Sequence, residues 1–540
     1  MKIALIQCPV WGTYDPPVGL AQLAGCLKNS GHDVSAFDLN IKLYRHRPEN
    51  YKNMWAWEQC SFWYNHDDVD KFFDQNKEFI DRYVKAIINT RSCVFGFSVS
   101  AASQAASMKI ARIIKESNKG AVIVFGGPLF FEERFVNHIL QEDAVDIVIR
   151  GEGEFTFTEL VGILEAGGGI SACAGVYFKE KGRITCAGKR DLIADLDSLP
   201  FMDFTDLPLS DYDDTRHIPF MASRGCIQKC VFCSSRAFWP GYRAMSGERV
   251  FREIEFHKKR LSRTNPELAH VDFLDLMFNG NMKSLVTFCD LLIRSKLEIF
   301  WTANMIIRPE MSWEVIKKMA DSGCEHIIFG IESGSQRVLD LMGKHYRIAD
   351  ADRTIKCMHE AGITVTANFM FGFPGEREED FRETLDFVRR NAGYLRRAYP
   401  SRTYCAIEEF SYLAKHLEEF GIKSNPPNHL YWESVDGKNN YPERLNRCEE
   451  FCRLASSLGV EVGCGVQTSV ELDRWFNLGA YYECRGEWEK ALDSYFRYYE
   501  LDAKNEVILD RLRCYSKRIS SGGQGVNPEL RKKLADLNAI

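Results

Sequence analysis

The chain has 540 residues, of which 45% are hydrophobic and 27% charged, and its net charge is -6. That length suits two to four domains of ordinary soluble composition. The charge excludes a global basic field that would gather nucleic acid, and no apolar run reaches the ~18 residues of a membrane span. Cysteine occurs 18 times, but spread over this length it does not make a disulfide scaffold, so a reducing cytoplasm is the expected compartment. Met1 to Val10 is a short apolar run with no basic segment, which predicts a strand and not a signal peptide.

Residues 1–190 predict one α/β domain. KIALIQCP at 2–9 is a buried strand, and Pro17-x-Gly19-Leu20-x-x-Leu23-Ala24-x-x-Leu27 predicts a helix that stops near Gly31. Further strands are predicted at 34–37, 93–98, 121–127 and 145–149, the last leading into Gly151-Glu152-Gly153-Glu154, with a helix over 106–115. Short β-branched runs, each followed by a helix, predict a parallel sheet wound on both faces. Glycines at strand C-ends let a ligand approach the backbone. An insertion at about 42–90 carries Tyr51, Trp55, Trp57, Phe62, Trp63 and Tyr64. It reads as helices packing over the domain or as a lid that keeps water from a site.

Residues 191–217, with Pro200 and Pro208, read as a linker. Then comes Arg224-Gly225-Cys226-Ile227-Gln228-Lys229-Cys230-Val231-Phe232-Cys233. Three thiolates at C-x3-C-x2-C spacing can hold three irons of a [4Fe–4S] cube and leave the fourth open to a chelating amine and carboxylate. Structural zinc wants four ligands, and no fourth Cys or His follows closely; the nearest upstream His is His217. Strands at 271–275, 298–303, 326–332 and 364–371 follow, separated by helices such as 313–319 and 349–360. Repeated βα units over 218–400 predict a barrel or part of one, with its ligands at the strand C-ends. Three motifs fall there: Asp275 and Asn279 in FLDLMFNGN, Glu332 and Ser333 in FGIESGS, and Asn368 ahead of Gly372-Phe373-Pro374-Gly375-Glu376.

The extension at 401–470 includes a polar, loop-like stretch at 424–447, and 471–540 reads as a helical tail. Trp475-x-x-Leu478-Gly479-x-x-Tyr482, Gly486, Ala491 and Tyr495 match a single tetratricopeptide helix pair, with Ala503 where proline usually stands. Such a pair should pack on the barrel or join a partner's helices. The last ~20 residues, with Ser520-Ser521-Gly522-Gly523, look loosely ordered. Cys448 and Cys452 share a helix face. They are core residues or, with Cys464 or Cys484, ligands of a second cluster.

The cysteine segment, with aromatic Phe232 before the third cysteine, resembles that of the radical S-adenosylmethionine (SAM) enzymes, and the likeness is detailed over about 215–400. Pro16-Pro17-Val18-Gly19-Leu20, Ser98-Val99-Ser100, Gly126-Gly127-Pro128 and the GEGE turn resemble the cobalamin-binding domain of many of them. The fold this implies is a flavodoxin-like domain followed by a partial (β/α)6 TIM-type barrel and a helical C-terminal region. The resemblance implies that Cys226, Cys230 and Cys233 hold a [4Fe–4S] cluster and that SAM lies against Phe232, Asp275, Asn279, Glu332, Ser333 and Asn368. Arg243 would offset the SAM carboxylate or the cluster charge. Cobalamin would meet Pro17, Gly19, Ser98, Ser100, Gly126, Gly127 and Glu152. Carriers that ligate cobalt through histidine use Asp-x-His-x-x-Gly after the first strand; the loop here, 10–15, has no His, so no His is expected below cobalt.

The implied reaction is reductive cleavage of SAM to a 5′-deoxyadenosyl radical, followed by methyl transfer to an unactivated carbon or to phosphorus. Cyclisation or rearrangement is the alternative among enzymes. A non-catalytic cobalamin or iron–sulfur carrier is the alternative outside them. The expected partners are a small-molecule, lipid or peptide substrate, a flavodoxin or ferredoxin as electron donor, and a protein docked on the helical tail.

Overall fold

In the computed structural model the first apolar run becomes strand β1 (Lys2–Gln7), buried at every position but Lys2. A run buried on both faces belongs in the middle of a parallel sheet, and β1 lies between β2 (Asp33–Asp38) and β3 (Val94–Ser98), parallel to both. The structure describes residues 1–56, 61–262, 267–401, 404–462, 467–520 and 527–538. They fall into two units, Met1–Arg224 with Arg243–Thr302, and Gly225–Tyr242 with Ala303–Ile540.

In the first unit β4 (Val122–Gly126) and β5 (Ile147–Ile149) continue the parallel sheet. Two further strands, β6 (Val176–Glu180) and β7 (Arg183–Cys186), then join antiparallel, giving the order β2-β1-β3-β4-β5-β6-β7. The parallel part is the sheet the sequence predicts, and the antiparallel pair is an addition to it. The added hairpin turns on Lys181 and Gly182, both with positive φ, the conformation a two-residue turn of type I′ requires. The insertion forms helices His66–Gln75 and Lys77–Asn89. Trp63 and Phe72 are fully buried in one core with Phe95 and Phe97, so these aromatics stabilise the domain by burial. Trp57 lies outside the described residues.

The linker is bound along its length. Gly25, on the helix Val18–Asn29, sits where a Cβ would overlap the Phe201 carbonyl. Gln22 Nε2 donates to Pro200 O at 2.9 Å, Lys28 pairs with Asp203 and Asp206, and Met202 N donates to Glu253 at 2.6 Å.

A second sheet begins with β8 (His217–Phe220) and continues through β11 (His270–Phe273), β12 (Phe300–Met305), β13 (Cys324–Glu332), β14 (Thr364–Phe369), β15 (Arg397–Pro400) and β16 (Glu461–Val462). Its strand order is β16-β15-β14-β13-β12-β11-β8. β8 and β11 pair parallel, as do β13 through β16 in succession. The parallel pairs from β8 to β14 are the strands of the repeated βα units predicted from the sequence. Between β8 and β11 lies a short antiparallel ribbon of β9 (Ser223–Arg224) and β10 (Arg243–Ala244).

The stretch 424–447 is irregular as far as Asn440, as its polarity suggested, but it is packed and ends in a helix. A helix starts at Tyr441 and runs to Ser457, capped by Asn440, and Trp432, Tyr441 and Arg444 are buried. Arg444 lies over the Trp432 ring at 4.1 Å and donates to Leu430 O, Trp432 O and Asn439 Oδ1. The tail forms helices Gln467–Cys484 and Trp488–Leu501, then Glu506–Ser520 and Pro528–Asn538. The last helix corrects the expectation of loose order over its own length, where Leu530 and Leu534 are buried in the tail's core with Leu492 and Phe496; Ser521, Gly522 and Gly523 lie outside the described residues.

Candidate functional site

The three cysteines lie on a loop in the second unit, each half-buried. Backbone N–H groups of Gln228 and Ser235 point at the sulfurs of Cys226 and Cys233, both at 3.4 Å. Burial raises the Cys230 thiol to about 11, with Cys226 and Cys233 adding to the effect. Burial likewise raises Cys226, with a contribution from Cys233. The three sulfurs are therefore within electrostatic reach of one another, the arrangement a cationic iron–sulfur core would relieve. Among the described residues no three His, Cys, Asp or Glu side chains converge as ligands of a single metal ion. A cube places each thiolate on a different iron, so its ligands stand farther apart than those of one ion. Cys448 is buried, and Cys464 lies outside the described residues.

The loop is anchored within the same unit. Val231 N donates to Met342 O at 3.0 Å, and Leu413 N donates to Val231 O at 2.8 Å. Beside it lies Lys344, 8% exposed, which the sequence reading missed. Its Nζ donates to Gly330 O and meets Glu332 Oε1 at 3.3 Å. Its charge lowers the thiols of both Cys226 and Cys230. The only sequence signal was a lysine directly after the left-handed Gly343 that ends the helix Gln336–Met342.

Glu332 closes β13 with φ +68, at a register break between Gly330 and Glu332 against β14. A glutamate in that region is strained and is an outlier of the kind that marks functional positions. Ser333 is buried and hydrogen-bonds Thr384. Asn368 stands in β14 opposite Gly330 and Tyr399. The Gly372–Glu376 turn is closed by Gly372 N donating to Glu376 Oε2 at 2.6 Å. Burial pushes the Glu376 carboxyl up to about 7 against the pull of Arg447, 2.8 Å away. The Phe373 ring of this turn meets Phe232 edge-on at 6.4 Å. The structure thus brings together the aromatic of the cysteine loop and the glycine-rich turn that follows Asn368.

Asp275, Asn279, Arg243 and the expected cobalamin residues lie in the first unit. Asp275 is 1% exposed and accepts from Ala222 N at 3.1 Å and from Ser223 Oγ. It braces the strand end that leads into the cysteine loop, and burial raises its carboxyl to about 6. Asn279 is fully buried. Arg243 Nη1 meets both oxygens of Glu152 at 2.9 Å and donates to Ile193 O at 2.7 Å. Glu152, expected at cobalamin, also receives Arg224 Nη1 at 2.6 Å and Ile193 N at 2.6 Å. Arg224 escaped the sequence reading.

At the C-terminal edge of the first sheet the floor is small. Gly127 has φ +107, and a Cβ there would stand 2.8 Å from Val99 N and O, so β3 and β4 end in close backbone contact, with Val99 N donating to Gly126 O at 2.7 Å. Gly19 has open space around it, and the nearest contacts of a Cβ at Gly126 would be at 3.8 Å. Ser98 and Ser100 are half-buried, and Pro17 is buried at the N-terminus of the helix Val18–Asn29. An open shelf of small residues at parallel strand ends fits a broad, flat ligand such as cobalamin.

The radical SAM superfamily matches residues 221–388. An uncharacterized methyltransferase of Pyrococcus horikoshii is 30% identical over 403 residues, spanning 72% of this chain and 78% of its own length. The anaerobic magnesium-protoporphyrin IX monomethyl ester cyclase of Rubrivivax gelatinosus is 27% identical over 52% of this chain, and the match spans half of the cyclase. Among solved structures, the radical SAM methyltransferase TsrM of Kitasatospora setae with cobalamin and [4Fe-4S] cluster bound superposes with a TM-score of 0.57 at 13% identity, covering 91% of this chain and 98% of that one. At that identity the likeness is one of fold. With the cysteine loop, the strained strand-end glutamate and a relative that shares most of its length, the chain belongs to the radical SAM superfamily and is a radical SAM enzyme.

Proposed function

We propose that the chain is a cobalamin-dependent radical SAM methyltransferase acting on an unactivated carbon or on phosphorus. The observation that carries this reading is the joining, in one chain, of the small-residue shelf at Gly126–Gly127 to a C-x3-C-x2-C loop. The methyltransferase name of the 30%-identical relative supports it. When bound, the cluster and SAM supply a 5′-deoxyadenosyl radical and cobalamin supplies the methyl group.

Cys226, Cys230 and Cys233 hold three irons, and Lys344 offsets part of the thiolate charge. Phe232 and the Gly372–Glu376 turn shelter adenine. Glu332 and Ser333 receive the ribose and methionine part, with Asn368 alongside. Asp275 and Asn279 serve the SAM amino group, and Arg243 offsets negative charge. Pro17, Gly19, Ser98, Ser100, Gly126 and Gly127 receive cobalamin, and Glu152 bounds that edge with its carboxylate already bound by arginines.

The helices Gln467–Cys484 and Trp488–Leu501 form a tetratricopeptide-like pair that offers a protein-docking surface; a Cβ at Gly479 would run into the Tyr495 ring, the close packing such pairs use. A flavodoxin or ferredoxin supplies electrons, and the substrate is a small molecule, lipid or peptide met in the cytoplasm. No helix among the described residues is long and apolar enough to cross a membrane.

The test is anaerobic purification with cobalamin supplied, then iron and cobalt counts and assay of SAM cleavage. About four irons and one cobalt per chain, with 5′-deoxyadenosine formed under reduction, support the reading. Four irons without cobalt would remove methyl transfer from it. The cyclase relative favours a second reading, ring closure. Product mass separates the two, since methylation adds a CH2 and oxidative closure removes hydrogens.

A further inference from the structure

All three cysteines lie on one excursion of the chain, Gly225 to Tyr242, which leaves β9 after Arg224 and returns to β10 at Arg243. These two arginines are register partners across the ribbon, so two guanidinium groups root the loop side by side. One step further along, Gly225 (φ +83) approaches the Gly241 carbonyl so closely that a Cβ would overlap it. The loop therefore has a narrow neck, and at its base stand two like charges that repel.

Glu152 resolves the repulsion. Its carboxylate is 4% exposed and bridges Arg224 and Arg243 while accepting from Ile193 N. Arg224 has a second carboxylate in Glu154. Arg243 has none: among the described residues Glu152 is its one acidic partner, and its Nε and Nη2 are buried without a hydrogen-bond partner. A buried ion pair contributes little net stability, because desolvation offsets the attraction, yet removing one partner leaves a buried charge uncompensated. This bridge is better explained by the geometry it enforces than by the energy it adds.

We propose that Glu152 is a positioning residue for the iron–sulfur loop: by bridging Arg224 and Arg243 it closes the loop's neck and holds Cys226, Cys230 and Cys233 in ligand geometry. The proposal rests on the assignment of those cysteines to the cluster. It gives the GEGE turn of the N-terminal domain a role in cluster chemistry, although that turn supplies no ligand.

The experiment uses the full chain, reconstituted anaerobically with iron and sulfide, as wild type, Glu152→Gln and Glu154→Gln. Three quantities are read: the rate of iron loss to a chelator, the EPR spectrum of the reduced cluster and its midpoint potential. Glu152→Gln should lose iron roughly 10-fold faster, the range seen when groups that orient metal ligands are removed. Its residual cluster should show an altered spectrum and a shifted potential, because the opened neck no longer holds the three cysteines in one geometry. Glu154→Gln leaves the bridge intact and should match wild type in all three. A merely structural Glu152 would lower the melting temperature but leave the spectrum and potential of the loaded cluster unmoved; that result overturns the proposal. If Glu152→Gln does not fold, Arg243→Met decides, since it breaks the bridge and leaves Arg224 paired: faster iron loss supports the proposal and a wild-type rate overturns it. A wild-type chain that takes up no cluster removes the underlying assignment instead.

Discussion

Gly372 has φ +68, and a Cβ placed there would overlap Arg444 Cγ and lie 2.7 Å from its Cδ. Gly372→Ala can be accommodated in two ways. Displacing Arg444 would forfeit its stacking on Trp432, worth ~2 kcal/mol when desolvated, and strain three hydrogen bonds of a charged group, worth ~1.5–3 kcal/mol each. On either route alanine carries the left-handed penalty of ~1–2 kcal/mol for a residue with a Cβ, and moving the turn adds only the loss of the bond from Asn439 Nδ2 to Gly372 O. The second route is cheaper, so the turn should move while Arg444 stays. The expected outcome is a second unit destabilised by about 2–3 kcal/mol, since the bond from Asn439 adds ~1 kcal/mol. If this turn meets adenine, SAM affinity should fall at least ~10-fold, the equivalent of 1.4 kcal/mol. The assay is equilibrium SAM binding to the reconstituted chain, run as a double-mutant cycle with Arg444→Ala, which removes the atoms that clash. A steric cause requires coupling of ~1–3 kcal/mol, with the alanine at 372 less harmful beside the alanine at 444. Strict additivity in the cycle would refute the reasoning.

Three further outcomes are expected. Burial holds the Asp275 carboxyl at about 6 against 3.8, so the folded state favours its protonated form. The stability this group contributes is full below pH 3.8 and is lost as the pH rises through 6, in all ~3 kcal/mol. Asp275→Asn should therefore lose less stability than wild type between pH 4 and pH 8, and parallel denaturation profiles for the two would contradict this. Glu433 accepts from Tyr481 Oη at 2.6 Å, from Lys423 at 2.8 Å and from Arg485. Glu433→Gln should weaken tail docking by ~2 kcal/mol, seen as faster proteolysis within 467–520 with unchanged iron content. Lys344→Met removes the charge that lowers Cys226 and Cys230, so alkylation of those thiols in the cluster-free chain at pH 8 should slow several-fold, because only the thiolate reacts.

How much of this was legible in the sequence depended on how far apart the partners are. The alternation of apolar strand and amphipathic helix is local, and it foretold β1 to β5 and the barrel strands β11 to β14, while the short β15 and β16 carried too few residues to show a pattern. The cysteine spacing is local too. The β6–β7 hairpin was missed because its signal is two turn residues, Lys181 and Gly182, following five helix-and-strand units of another kind. The buried block around Trp432 and Arg444 was missed because its composition is polar: Arg444 is buried by three acceptors and an indole face that no periodicity announces. Burial lowers its guanidinium to about 10, the mark of a cation held in place by packing and not by a carboxylate.

The charged framework of the site lies at the other extreme. Glu152 meets Arg224 across 72 residues and Arg243 across 91; resemblance singled out Glu152 and Arg243 for other partners, and Arg224 not at all. Nothing in a linear pattern can pair them, since ion pairing has no period. What could have been noticed is that the cysteine excursion begins and ends on arginine. Two cations at the root of a loop need a shared anion if they are to be buried, and the GEGE turn is an acidic segment the fold can bring to them. The same reasoning applies to Lys344: a buried lysine needs an acceptor, and the strained Glu332 provides one. In both cases chain topology and the cost of an unpaired buried charge fix the site, which is why the ligands were visible from spacing and their supports were not.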